Sequence, residues 1–289
     1  MTIIVTDSGL GGISVAAELY RALQARPRAE KTRIIFFNAL FDEQSGYNRL
    51  TDMAAKIRWF DAALHGMLSY APDVIGIACN TLSVLYPRTA FARTANLPVI
   101  GIVEIGVNYL CQKLKGHEEA YAILFATPTT LQQGTHQRLL REHFPERRII
   151  AQACPELMYA IGDGATAQIK HLIAEYTRQA VAQLPVPRPK VYASLNCTHF
   201  GYYQAEFEAA LRGHGLADVA VVNPNAAMVH ALAPENKIQP GTPTELSIEC
   251  VSKVKFHPQG LASLLPLLTP VSEEAAAAFR NYQYQPDLF

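Results

Sequence analysis

Short runs of apolar residues, rich in β-branched and aromatic side chains, recur along the chain and are separated by longer stretches of helical period. The runs lie at residues 3–6, 33–37, 74–78, 99–102, 122–125, 148–151, 191–195 and 219–222. Strands that alternate with helical segments in this way predict α/β architecture with mostly parallel sheets. Between the second and third runs, Met53, Ile57, Phe60, Leu64 and Met67 stand at helical spacing, with Thr51 placed to cap the helix. Two proline-rich stretches, 184–189 and 234–243, break the periodicity and read as loops.

A weak internal repeat supplies a domain count without assuming a fold. The first run ends at Asp7-Ser8 and the fifth at Ala126-Thr127, so Asp7 and Thr127 stand 120 positions apart. The third run leads into Cys79-Asn80-Thr81 and the seventh into Asn196-Cys197-Thr198-His199, which puts the two cysteines 118 positions apart. Each pair is a strand whose C-terminal end presents small polar groups. Open α/β sheets bind ligands at the C-terminal ends of their strands, so two related α/β halves with one small cleft between them are expected. The expected division is residues 1–98 with about 212–270 in the first domain and 99–211 in the second. The units from about Val219 onward return to complete the first sheet. Residues 271–289 are left as a C-terminal helix or tail, whose aromatic-polar alternation at 281–286 reads as a docking segment or as disorder.

The 289 residues are 49% hydrophobic and carry 25 Lys+Arg against 25 Asp+Glu. The chain can fill two cores, and its charge balance argues against a nucleic-acid partner, which usually meets a basic excess or stripe. No run of 18 apolar residues suggests a membrane span. Met1-Thr2-Ile3-Ile4-Val5 has no basic segment ahead of its apolar run, which points to the cytoplasm. Five cysteines without a C-x-x-C pair form neither a disulfide framework nor a zinc ribbon.

Free cysteine usually packs as a small hydrophobe, the reading kept for Cys111, Cys154 and Cys250. Cys79 and Cys197 depart from it, because both end strands, both stand among Asn and Thr, and they occupy matching places in the two halves. A thiol acts as base or nucleophile only as thiolate. Asp7 is placed to take a proton from Cys79 and His199 from Cys197, the plain alternatives being a helix-capping Asp7 and a core-satisfied His199. The turn Asp7-Ser8-Gly9-Leu10-Gly11-Gly12 matches neither the dinucleotide fingerprint nor the phosphate loop with its lysine. A small carboxylate suits it better, together with the hydroxyls of Thr81, Thr127, Thr129, Thr130 and Thr198. Two thiols on either side of a small carboxylate suit racemisation, one removing the α-proton and the other returning one to the opposite face. No metal-ligand cluster stands out, and nothing calls for pyridoxal phosphate.

These residues resemble the cofactor-independent aspartate/glutamate racemase family. The resemblance is carried by Asp7-Ser8-Gly9-Leu10-Gly11-Gly12, Ala78-Cys79-Asn80-Thr81, Ala126-Thr127-Pro128-Thr129-Thr130, Ala153-Cys154-Pro155 and Cys197-Thr198-His199, in order over about residues 1–270. It implies two doubly wound α/β domains related by a pseudo-twofold. It also implies catalysis by Cys79 and Cys197 tuned by Asp7 and His199, and a substrate held by Ser8, Asn80, Thr81 and Thr198. Thr127, Thr130, Ser45 and Gly46 complete the expected pocket. The implied activity is interconversion of L- and D-glutamate for peptidoglycan, by a homodimer without cofactor. The alternatives are a racemase of aspartate or another amino acid, and a ligand-binding homologue with weak catalysis. Three departures stand out: Gln44-Ser45-Gly46 where the family has Pro-Tyr-Gly, Gly162 with Asp163 beside it where the family has Glu, and Phe200-Gly201-Tyr202-Tyr203 after Cys-Thr-His. Together these are expected to leave the catalytic pair intact and to alter the pocket wall.

Overall fold

A computed structural model describes residues 1–25, 31–43, 46–233 and 245–289. The described strands are β1 (Thr2–Asp7), β2 (Thr32–Asn38), β3 (Val74–Ile77), β4 (Val99–Gly101), β5 (Tyr121–Ala126), β6 (Ile149–Ala153), β7 (Val191–Asn196), β8 (Val219–Val222), β9 (Leu246–Ser252) and β10 (Gln283–Tyr284). They form two sheets, ordered β10-β9-β2-β1-β3-β4 and β6-β5-β7-β8, and every pairing is parallel. The four-strand order β2-β1-β3-β4 of the first sheet recurs as β6-β5-β7-β8 in the second, which is the internal repeat expressed as topology.

Parallel sheets need helices on both faces, so their strands are apolar on both sides. In β1, Ile3 and Val5 enter one core while Ile4 enters the opposite one. In β5, Tyr121, Ile123 and Phe125 likewise face away from Ala122 and Leu124. On one face of the first sheet pack helix Ile13–Gln24 and helix Pro224–Leu232, with Leu19, Met228 and Leu232 buried between them. Helix Met53–Met67 covers the other face through Phe60, Leu64 and Met67. Its cap is Asp52, whose carboxylate accepts from the Ala54 amide, and not the expected Thr51. A charged acceptor at the positive helix end is favoured over a hydroxyl one residue further out.

Two expectations on chain path need correction. Val219–Val222 does not return to the first sheet but extends the second as β8, because the intervening helix Gln204–Gly213 buries Phe207 and Leu211 in the second core. The return comes one unit later with β9, which pairs along the full length of β2. Conversely, β4 is the edge of the first sheet, although the expected division places Val99 in the second half. The C-terminal segment is neither a free docking arm nor disorder. Helix Glu273–Arg280 buries Phe279 in the first core, β10 pairs with β9, and Phe289 lies 5.9 Å from Phe37 between ring centroids. Of the proline-rich stretches, 184–189 is a loop, and 234–243 lies outside the described residues.

Candidate active site

Strand register brings the chemistry together. Asp7 ends β1, and the Ala78 amide one residue past β3 donates to the Thr6 carbonyl at 2.9 Å. Cys79 therefore emerges beside Asp7. In the second sheet Ala126 pairs with Asn196, so Thr127 and Cys197 emerge side by side as well. The two sets of strand ends meet around a narrow cavity lined by Asp7, Ser8, Cys79, Asn80 and Thr81 from the first half and by Thr127, Cys197, Thr198 and His199 from the second.

Hydrogen bonds inside it run both within each half and across between them. Thr198 Oγ1 donates to Asp7 Oδ2 at 2.7 Å. Ser8 Oγ lies 3.1 Å from Cys79 Sγ, and His199 Nδ1 lies 3.9 Å from Cys197 Sγ. Thr81, Thr127 and Thr130 form a triangle of hydroxyls with sides of 3.1, 3.2 and 3.0 Å. Lys56, buried under this junction, donates to Thr129 Oγ1 at 2.9 Å.

Burial sets the protonation states. It pushes the Asp7 carboxyl from 3.8 up to about 6, against the hydrogen bonds from Thr198 and Cys79 that hold it down. It pushes the Cys79 thiol up to about 12, helped by the negative charge of Asp7. Cys197 is pushed well above its ordinary value by burial, then by Cys79 and Asp7, and His199 is lowered to about 4 by burial. At neutral pH both thiols therefore keep their protons, His199 is a neutral base, and Asp7 is an unusually basic carboxylate. A cation entering the pocket would reverse the rise in both thiols.

The glycine-rich turn serves close approach. A Cβ on Gly11 would sit 2.5 Å from His199 Nδ1 and 2.8 Å from the His199 amide nitrogen, and one on Gly12 would sit 2.7 Å from Asp7 Cβ. Gly11→Ala is expected to displace His199 and lower kcat/KM by about 100-fold, because misplacement by an ångström is enough for that. Steady-state kinetics together with a circular dichroism spectrum check it, and near-wild-type turnover would show that His199 tolerates the shift.

Several expected site residues lie elsewhere. Thr130 stands behind Thr127, fully buried and not on the cavity wall. Gly46, Gly162 and Asp163 line a wider outer pocket, which meets the inner cavity at Ser8, Asn48, Met158 and His199. The Asp163 carboxylate, at the C-terminal end of helix Leu157–Gly162, lines that wider pocket and not the inner cavity, displaced from Cys197. Phe200 to Tyr203 do not form the inner wall: Phe200 fills the second core and Tyr202 and Tyr203 pack against it, because the 3₁₀ turn Thr198–Tyr203 rolls the chain back over its own sheet. Gln44 and Ser45 lie outside the described residues. Cys154 and Cys250 are core residues.

The structure also adds side chains the sequence reading missed. Asn196 lines the cavity, and its place before Cys197-Thr198 could have revealed it. Asn48 and Met158 line it too, joined by a 3.1 Å contact of Asn48 Nδ2 with Met158 Sδ. Nothing in their local sequence marks them, since they come from short helices that meet only across the cleft.

No family model matches the chain. It is 27% identical over 230 residues to glutamate racemase of Aquifex pyrophilus, covering 79% of this chain and 80% of the relative. To glutamate racemase of Synechocystis sp. it is 24% identical over 265 residues, 90% of this chain and 85% of the relative. The structure of Francisella tularensis glutamate racemase in complex with D-glutamate superposes with a TM-score of 0.69 at 18% identity, over 91% of this chain and 93% of that one. Two parallel α/β sheets with a cysteine at matching strand ends define the class. The chain is similar to the glutamate racemases over about four-fifths or more of its length.

Proposed function

We propose that this protein is an amino-acid racemase acting on glutamate, with Cys79 and Cys197 as the two acid/base groups. The observation that carries the reading is one small cavity lined by both strand-end cysteines, one beside Asp7 and the other beside His199. Glutamate as substrate is supported by the relatives across four-fifths or more of their length.

A buried α-ammonium group would favour thiolate over thiol by direct charge attraction. Asp7 then takes the Cys79 proton, or His199 the Cys197 proton, depending on which enantiomer is bound. The thiolate removes the α-proton and becomes a thiol, and the electron pair left on Cα delocalises into the α-carboxylate. The opposite thiol gives its proton to the other face of Cα and becomes the thiolate. One C–H bond breaks and one forms. When product and its ammonium charge leave, the new thiolate takes up a proton from water and the base on the other side releases the one it took. Both thiols are thereby restored with no net proton or electron exchanged. Donors aimed at the carboxylate stabilise the charge that develops there. Ser8, Asn80, Thr81 and Thr127 can serve, whereas Thr198 has already committed its proton to Asp7 and offers the ammonium group a lone pair. The homodimer and the peptidoglycan role rest on the resemblance alone. Among the described residues no helix is long and apolar enough to cross a membrane.

The test is a panel of D- and L-amino acids in D₂O, with reduced protein, chelator present and no pyridoxal phosphate added. Either glutamate enantiomer is expected to take up α-deuterium and lose optical rotation. Faster turnover of aspartate would move the substrate assignment, and binding without exchange would make the chain a ligand-binding homologue.

A further inference from the structure

Next to Cys79, Asn80 heads the helix Asn80–Leu85 and is only 3% exposed. Its Oδ1 lies 3.1 Å from Nε2 of His136, on helix Thr135–His143 of the other half. Its Nδ2 is buried, has no partner, and belongs to a residue that lines the catalytic cavity. His136 is 2% exposed, and its Nδ1 is likewise without a partner.

With Asn80 oriented so that Oδ1 meets the ring, this contact fixes the imidazole tautomer. A carboxamide oxygen can only accept, so Nε2 must carry the imidazole proton. The atom left unpaired is then the Nδ1 lone pair. In the other tautomer Nδ1 would be a buried N–H with no acceptor, and orphaned donors are the rarer and costlier fault. Burial lowers the His136 pKa to about 4, so the ring is neutral near pH 7 and a single tautomer can persist.

We propose that His136 is a positioning residue for the reaction: its Nε2–H holds Asn80 so that the carboxamide Nδ2 faces the cavity as a hydrogen-bond donor to the substrate carboxylate. This deepens the racemase reading and rests on it. The donor strengthens as charge moves from Cα into that carboxylate, so it acts more on the transition state than on bound substrate. Because Asn80 and His136 come from different halves, the donor is aligned only where the two halves meet, beside the hydroxyl triangle of Thr81, Thr127 and Thr130.

The experiment combines His136→Phe, His136→Gln, Asn80→Ala and the double variant Asn80→Ala/His136→Phe. His136→Phe is expected to lower kcat by about 10- to 100-fold with little change in KM, since it removes the aim of one charge-stabilising donor. His136→Gln keeps a side-chain N–H and is expected to restore most of the loss. In the Asn80→Ala background, His136→Phe should cost nothing further, as two groups acting through one interaction are not additive. Losses that multiply in the double variant, or a His136→Gln as impaired as His136→Phe, would overturn the proposal. A nitrogen NMR measurement of the His136 tautomer in the wild type is independent of turnover: Nε2–H supports it and Nδ1–H overturns it, even if the chain racemises no amino acid and the functional reading itself fails.

Discussion

Cys79→Ser and Cys197→Ser are each expected to lower racemisation of both enantiomers by about 100- to 10,000-fold, the range a positioned general acid or base supplies. The physical reason is that the proposed reaction alternates between two states, each with one thiolate and one thiol, and a serine hydroxyl is far too weak an acid to enter that exchange. Each single variant keeps one working thiol, so α-deuterium uptake from one enantiomer should outlast racemisation. Cys111→Ser is the control, since Cys111 is only partly buried, on helix Ile102–Leu114 away from the cavity. Both catalytic-site variants retaining more than a tenth of wild-type turnover would sink the two-thiol mechanism. An inactive Cys111→Ser would show that the site is elsewhere.

Asp7→Asn is expected to do two opposite things, to lower activity by about 100-fold and to raise thermal stability at pH 8. Asp7 is fully buried, and its carboxyl titrates at about 6 instead of 3.8. A group whose pKa is higher in the folded state contributes stability that is complete below its unfolded value and is lost as pH rises through the folded value. At pH 8 the buried carboxylate therefore costs the fold on the order of 3 kcal/mol, a cost that asparagine avoids while its Oδ1 still accepts from Thr198. Thermal melts of both proteins at pH 8 and pH 4 check this, with Tm of the variant higher by several degrees at pH 8 and the gap closing at pH 4. Wild-type kcat/KM should fall on the acid side below about pH 6 as Asp7 takes up a proton. A variant that is equally destabilised at both pH values would mean that Asp7 is a structural hydrogen-bonding residue and not a strained base.

Stability sacrificed at one side chain is a common mark of a working site, and here it falls on a residue the sequence already singled out. Asp7, Cys79, Cys197 and His199 were legible because each stands at the end of an apolar run, and the end of a parallel strand is where side chains leave the core. Their pairing across the halves was legible from the repeat. Ser8 and the small residues Gly9, Gly11 and Gly12 were legible as a turn. That Gly11 gives way to His199 and Gly12 to Asp7 was not, since those contacts join segments roughly 190 positions apart or opposite faces of one turn.

The amino-acid sequence by itself determined the α/β class, the twofold repetition and which polar side chains stand at the strand ends, all of which are written in local periodicity and in the few residues just past each strand. It did not determine strand partners. A run such as Val219–Val222 is equally apolar on either sheet, and only the packing of Phe207 and Leu211 in the second core assigns it. Nor could it separate the cavity wall from the layer behind it. Thr127 and Thr130 are three positions apart in one capped turn, Phe200 comes directly after His199, and Asn48, Met158 and His136 carry no motif at all. Whether such a residue meets substrate depends on which way a turn rolls over its sheet and how two halves close on each other, and those are long-range contacts that no local pattern encodes.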